Sequence, residues 1–511
     1  MDYRETAYYS AGRATDLEGK DRILYRFFEI LPGAIAWLTL IGIVLGARYL
    51  PTWMSLFIIV FDVYWLLKTF YLSTYLRQNW KRLRKNMAID WEKLISHLKY
   101  DHIYHVVLLP FYKESEEVIE KTVRTISETK YDTKKIIVVL ASEERAGETH
   151  YLDAVKVKER YESKFHTILI TKHPANTPGE MPGKGSNIAY AAKQVKEIIL
   201  DKQNMPLEDV LVSAFDIDTV PYPAYFQCLT WYFLTTENPH RASYQPVPFY
   251  HNNIWHAPAF SRVAAYSSTF WQMIQQERPE RLATFSSHSM SFKALVDIGY
   301  WQKNMVSEDS RIFWNAYVAY NGDYRVIPIS YPVSMDANLA PSFLETCKNI
   351  YKQHRRWGWG VENVPYLLMA AVKNKSIPLK GRFYMSLVQI EGFWSLATHP
   401  FIIFLLGWLP IAIGGREYNA TVLSYNLPVI TRYLMNVCMF GLVVSAVIAM
   451  NLAPQAPIGF GKKQKVFMVL QWILVPVTII VFSALPGLEA QTRLMFGKYM
   501  GFWVTPKHRK A

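Results

Sequence analysis

An α/β domain set between two groups of membrane helices is what this sequence predicts, on three observations. Apolar residues form 51% of the 511-residue chain and gather towards its two ends, leaving a mixed, charged middle. In that middle, short apolar runs alternate with stretches of helical spacing, the pattern of a parallel sheet covered on both faces. The fourth such run, Leu211-Val212-Ser213-Ala214-Phe215, leads straight into Asp216-Ile217-Asp218. Sheets of this kind bind ligands outside the carboxyl ends of their strands, so a carboxylate pair there marks the candidate site.

Residues 1–29 interleave acidic and basic side chains and read as a polar cytoplasmic lead, too long and evenly charged for a cleaved signal peptide. Two membrane helices are expected within residues 30–75. Residues 30–47 carry no charge, enough for one crossing, and 52–67 are apolar except for Asp62. Then comes Arg77-Gln78-Asn79-Trp80-Lys81-Arg82-Leu83-Arg84-Lys85, with five positive charges and no negative one. The positive-inside rule puts this linker, residues 76–99, in the cytoplasm together with the domain that follows at 100–360. The net charge of +14 suits such flanks, and no nucleic-acid partner is expected. Cys228, Cys347 and Cys438 are too scattered for a disulfide framework or a cysteine metal cluster.

Within the middle domain, strands are expected at 106–110, 135–141 and 167–171, and helices at 114–128, 152–161 and 187–200. Strand alternation would point Asp216 and Asp218 the same way. Two like charges held that close repel, so a divalent ion gripping a diphosphate is the natural third party. A strand end with solvated aspartates, followed by the turn-like Val220-Pro221-Tyr222-Pro223, satisfies the same residues. Three further stretches carry chemistry. Pro182-Gly183-Lys184-Gly185-Ser186-Asn187 opens a helix and suits a phosphate, though without P-loop spacing. Ser307-Glu308-Asp309-Ser310 precedes a helix at 311–320, where the dipole alone would favour acids. Gln353-His354-Arg355-Arg356-Trp357 lies in a basic, aromatic helix at 348–359 that equally suits a membrane surface.

Taken in order, these stretches resemble membrane-embedded glycosyltransferases of family 2, the group of the cellulose, chitin and hyaluronan synthases. Asp216-Ile217-Asp218 matches the family's D-x-D, Ser307-Glu308-Asp309 its T-E-D, and 353–357 its Q-(Q/R)-x-R-W, with His354 as a departure. Lys184-Gly185-Ser186-Asn187 is similar to its K-x-x-N segment. The second strand, where the family has a base-contacting aspartate, here ends in glutamates, of which Glu143 is the expected equivalent.

The resemblance implies a GT-A-like (Rossmann-like) cytoplasmic domain flanked by transmembrane helices in an integral membrane protein. It further implies transfer of a sugar from a nucleotide-sugar donor, with inversion, to a growing polysaccharide. Asp216 and Asp218 would hold Mg2+ or Mn2+, and Asp309, beside Glu308, would serve as general base. Gln353 and Arg356 would bond the diphosphate, Lys184 and Asn187 would lie near it, and Trp357 would offer the acceptor a flat face. His288 is expected to be structural. A transferase acting once on a lipid-linked acceptor is the alternative. A membrane phosphohydrolase, suggested by Phe215-Asp216-Ile217-Asp218-Thr219-Val220, is remoter because it leaves 353–357 without a role.

At the C-terminal end, interface helices are expected at 361–391 and crossings within 392–488, namely at 392–415, 433–461 and 466–488. Pro476 and Pro486 mark the last as kinked or re-entrant. Asn419-Ala420-Thr421 matches a glycosylation sequon by pattern only. In the tail, 489–511, Phe502-Trp503-Val504-Thr505-Pro506-Lys507 is similar to the F-x-V-T-x-K gating loop of cellulose synthases. Thr505 and Lys507 would then meet the substrate, and the tail would have to reach the cytoplasmic site.

Overall fold

The computed structural model of the protein describes residues 6–506. Two long helices, α1 (Gly19–Tyr49) and α2 (Pro51–Ala88), lead into the sheet domain. Pro51 opens α2, where its missing N–H costs no helical bond, so the hairpin turns within one residue. The expected basic linker is not separate. It continues α2, whose 38 residues extend about 57 Å at 1.5 Å per residue, nearly twice a bilayer's apolar core. Its basic half is tied to the sheet domain through Asn79 and Arg82, which contact Glu277 at 2.9 and 3.0 Å, and through Asn86 to the Ile329 carbonyl.

The four apolar runs form β1 (Tyr104–Pro110), β2 (Ile136–Glu143), β3 (Thr167–His173) and β4 (Val210–Ala214). All pair in parallel, and α3 (Glu116–Ser127), α4 (Glu148–Tyr161) and α5 (Lys184–Val195) connect them. Every residue of β2 and β4 is buried, as befits parallel strands covered on both faces. Among the described residues the sheet has eight strands in the order β3-β2-β1-β4-β7-β6-β8-β5. Beyond β4 it becomes mixed, a feature the sequence pattern did not announce. β5 (Val220–Pro221) precedes α6 (Tyr225–Thr235), and β6 (Ala242–Phe249) precedes α7 (Ala259–Gln276). The three-residue β7 (Ser289–Ser291) runs antiparallel to both β4 and β6. After α8 (Glu308–Ala319), β8 (Arg325–Ser334) pairs with β6 in parallel. Pro246 and Pro248 lack the N–H a ladder needs, and the β6–β8 register slips between Gln245 and Val247.

One face of the sheet packs against α5, α8 and the later helix α10, the other against α3, α4 and α6. The expected polar lead is partly core. Tyr8, Tyr9 and Leu17 are buried in the first of these clusters, and the segment is strapped across α8. Tyr9 donates to the Ile298 carbonyl at 3.0 Å and Arg311 to the Ala11 carbonyl at 3.1 Å.

After α9 (Phe343–Gly358) and α10 (Asn363–Lys373), α11 (Leu379–Phe404) fuses the second expected interface helix with the start of the next apolar stretch. It bends by 49° into Leu406–Ile413, where Pro410 forbids a straight continuation. That short piece ends at the α1–α2 turn, with Arg48 donating to the Ile413 carbonyl and Ser55 bonded to Tyr418 at 2.6 Å. α12 (Val422–Leu452) returns along α2 to a cluster that includes Val247 and Phe249 of the sheet domain. The last segment, α13 (Lys462–Met495), starts and ends on the sheet domain: Gln471 bonds Arg262, and Leu494 packs on Val306 and Trp359. A 3-10 turn at Gln471–Leu474 and a π turn at Ile480–Ala484 interrupt it, in keeping with the expected kinks. Four helices among the described residues are long and apolar enough to cross a membrane, five if the bent pair counts as one span.

Candidate active site

Parallel register places the carboxyl ends of β1, β2 and β4 on one edge, with Leu108 beside Ala214 and Pro110 beside Ala141. Above that edge lies a cavity of about 2140 Å³ that continues between α2, α11, α12 and α13. β4 stops at Ala214, earlier than expected, and a tight turn closed by the Thr219 N–H on the Asp216 carbonyl (2.8 Å) carries the two aspartates. Strand alternation therefore does not aim them. Asp216 is about a quarter exposed and is held by Ser286, whose hydroxyl donates at 2.8 Å. Asp218 is fully buried and accepts the Asp336 N–H at 2.9 Å.

Lys184, the first residue of α5, takes a place that the motif comparison did not foresee. Its ammonium bonds Asp216 at 2.6 Å and both oxygens of Asp309 at 2.9 and 3.0 Å. Burial works against the charged amine, but the two aspartates outweigh it and hold its pKa well above the usual lysine value. The expected acids thus meet: Glu308 and Asp309 stand on the first turn of α8, facing the Asp216 turn across Lys184. Glu308 is buried, and burial, reinforced by Asp309, pushes its pKa up to about 8.

Gln353, Arg356 and Trp357 project from α9 into the same cavity. His354 packs against Trp357 with the rings tilted by 36° and their centroids 4.6 Å apart, and burial pulls its pKa down to about 4, which favours the neutral ring. The C-terminal segment reaches the site too. The Arg356 guanidinium lies over the Phe502 ring, 5.0 Å from its centre, and Phe502 also packs against Gly183, where a Cβ would meet the ring at 2.7 Å. Thr505 is buried in the cavity wall, and its hydroxyl has no partner among the described residues. Lys507 lies outside the described residues.

Other expected contacts are committed to the protein itself. Asn187 lines the cavity, but its amide donates to the Ala141 carbonyl at 2.7 Å and so ties α5 to the end of β2. Glu143 lines it as well and forms a two-point pair with Arg145, which in turn stacks on Tyr112. His288, expected to be structural, is buried, has its Nδ1 bonded to the Phe285 carbonyl and is held below its usual pKa by burial, while its Nε2 has no partner among the described residues.

Sequence reading missed three supports. Asp336 follows β8, lines the cavity beside Asp218 and accepts from Asn252 at 2.8 Å. Glu362 accepts the N–H groups of Val306 and Ser307, the Ser307 hydroxyl and the Trp359 indole, pinning the start of α8 to the end of α9. Arg311, wholly buried, bonds Asn363, Gln302 and the Glu362 carbonyl. A mid-chain basic–aromatic pattern gave no hint of Glu362, and only its burial identifies it.

A divalent ion suits the donor chemistry of this edge. Asp216, Asp218 and Asp336 offer carboxylates to one cavity. Among the described residues no cluster of three His, Cys, Asp or Glu is set to cage a metal. Magnesium-like ions are commonly held by one or two carboxylates plus substrate phosphates, and Asp216 with Asp218 can supply that share.

Residues 211–485 match the sequence model described as glycosyl transferase family group 2. No curated protein gives a significant match. Similar solved structures include the mannosyltransferase PcManGT from Pyrobaculum calidifontis in complex with GDP-Man and Mn2+, at 12% identity. It covers 86% of this chain and 100% of that one, with a TM-score of 0.42. S. aureus TarS 1-349 is similar at 11% identity, 68% and 91% coverage and a TM-score of 0.36. GalNAc-T7 with UDP, GalNAc and Mn2+ follows at 10% identity, 60% and 57% coverage and a TM-score of 0.33.

Proposed function

The chain belongs to glycosyl transferase family group 2, and from that premise we propose an inverting transfer of a sugar from a nucleoside diphosphate to an acceptor hydroxyl at the cytoplasmic face of a membrane. One observation carries this reading: Asp309 shares a cavity with Asp216, Arg356 and Trp357, and Lys184 joins it to Asp216. Asp309 takes the proton of the acceptor hydroxyl as that oxygen bonds the anomeric carbon, and the sugar–phosphate bond breaks with its electron pair leaving on the diphosphate. Asp216 and Asp218 would hold Mg2+ or Mn2+, which supplies positive charge to the leaving group. Arg356 and Lys184 add fixed charge, and Gln353 a hydrogen bond, at the same wall. Burial and the neighbouring Asp309 raise the pKa of Glu308, which disfavours a second negative charge beside the base. Incubating the purified protein with a panel of radiolabelled nucleotide sugars tests the reading, which fails if no donor is consumed.

Asp309 and Trp357 suit a growing glycan as acceptor, the outcome implied by the synthase resemblance. A lipid-linked acceptor is favoured by a separate observation. Leu67, Phe440, Val443, Val447 and Ile473 line the cavity and are each more than half exposed, from which we infer a lateral, apolar mouth. Hydrocarbon can enter there, whereas a free polysaccharide gains nothing from it. Sizing the product made in nanodiscs separates the two: a ladder of chain lengths supports processive synthesis, and a single sugar on lipid supports the second reading. The tail acts as a cover in either case, with Phe502 closing on Arg356 and Thr505 able to bond the donor.

A further inference from the structure

Away from the acids, the wall of the same cavity carries a second set of charges whose role the transfer chemistry leaves open. Lys68, midway along α2, lies 3.5 Å from Glu391 of α11, and Arg281 donates to the other Glu391 oxygen at 2.9 Å. Arg278 lines the cavity beside them. Lys68 and Arg281 thus share one carboxylate and Arg278, which rests over the Tyr71 ring, adds a third cation, a surplus of two positive charges on a wall that is otherwise mostly aliphatic and aromatic. Uncompensated charge is costly at an apolar surface, so such a surplus points to an anionic ligand. Basic pockets between membrane helices suit phosphate head groups in particular.

A second observation points the same way. His399 lines the cavity about two turns beyond Glu391 on α11, is 2% exposed and is ringed by Phe61, Trp65 and Trp394. Its Nδ1 is bonded to Ser395, but its Nε2 has no partner among the described residues. A buried polar atom of this kind is usually satisfied, and a ligand in the cavity would satisfy it. Lys68 rests against the faces of Tyr64 and Trp65, which fixes its ammonium at the wall.

We propose that Lys68, Arg278 and Arg281 bind the phosphate of a lipid-linked acceptor whose hydrocarbon lies in the lateral mouth of the cavity. The inference rests on the lipid-acceptor reading and gives it a recognition element. The reach is right for an acceptor whose accepting hydroxyl lies beyond its phosphate. Ser286, which holds Asp216, is five residues from Arg281, so the two backbones are at most about 18 Å apart.

The test uses the full-length protein in phosphatidylcholine nanodiscs containing a long-chain polyprenyl phosphate or the matching neutral polyprenol, with inorganic phosphate as soluble competitor. Binding is read by native mass spectrometry and by thermal shift, and transfer is measured separately with the nucleotide-sugar panel. Polyprenyl phosphate is expected to bind about tenfold more tightly than polyprenol, a preference lost in K68Q/R281Q and kept in Lys68→Arg. Glu391→Gln, which removes the competing carboxylate, should tighten phosphate-lipid binding and guards against misreading a folding defect. Equal binding of the two lipids overturns the proposal, as does a K68Q/R281Q variant that keeps the preference. Full displacement of the lipid by inorganic phosphate would assign the site to a soluble anion and overturn the lipid part. Failure to consume any nucleotide sugar, with lipid binding intact, would sink the transferase reading alone.

Discussion

At the scale of single residues, Lys184 organises the chemistry by standing between two acids from different elements. Lys184→Met leaves Asp216 and Asp309 facing each other without a cation. Breaking a wholly buried pair costs about 3–5 kcal/mol; with the aspartates a quarter exposed, about 2–4 kcal/mol is expected, read as a lowered unfolding midpoint. Asp309→Asn keeps the shape and removes the base, so transfer should fall by about 10²–10⁴-fold while calorimetric donor binding persists. Equal loss of both would reassign Asp309 to structure. Glu308 gives a pH signature. Its folded pKa of about 8 exceeds the ordinary 4.5, so the folded protein holds the extra proton between those values and loses stability as pH rises through them. Unfolding midpoints measured across that window should fall with pH in the native protein and flatten in Glu308→Gln. Asp216, Asp309 and Arg356 were legible in the sequence because each stands in a short motif with its own spacing. Asp336 and Glu362 were not, since they act through backbone and buried contacts that no local pattern records.

At the scale of elements, the four parallel strands could be read in advance because burial on both faces makes them continuous apolar runs. The mixed half could not. β7 is three residues of a serine-rich stretch, and β6 and β8 are interrupted by prolines that argue against strands. Helix bounds suffered similarly: α2 absorbs a basic run that reads as a linker, since helical periodicity ignores charge on the exposed face. The tail was recognisable from its motif, and its contacts with Gly183 and Arg356 support a cover over the site. Ending the chain after Gly501 should leave the sheet domain folded, with an unchanged melting curve, and reduce transfer by at least tenfold, because water then reaches the donor. Retained activity in that variant would reduce the tail to a surface anchor.

At the scale of the whole molecule, the long apolar helices divide into those that reach the α1–α2 turn and one that stays by the sheet domain. α1, α2, the bent α11 pair and α12 connect the sheet domain with the α1–α2 turn, whereas α13 touches the sheet domain at both ends. From that arrangement we propose four crossings with α13 re-entrant, which would keep the tail on the catalytic side. In a background lacking Cys228, Cys347 and Cys438, a cysteine at Glu417 should react with an impermeant reagent in intact cells, and one at Ala511 should not. Labelling at Ala511 would sink both the topology and the cover. Hydropathy alone counted three C-terminal stretches and could not tell a crossing from a helix lying along a domain, because both are apolar on the face that meets lipid or protein.

The strap at the start of the chain has a consequence for how the protein is made. Tyr9 finds its partners, the carbonyls of Ile298 and Asn315, 289 and 306 residues later. At ribosomal rates of about 5–20 residues per second, the strap waits about 15–60 s for them, while α1 and α2 are already available to the insertion machinery. This strap is therefore fastened only long after it is synthesised, and it is fastened onto the helix that carries Asp309. Assembly of the site and completion of the domain become one event, so a nascent chain that has inserted its first hairpin still cannot turn over substrate.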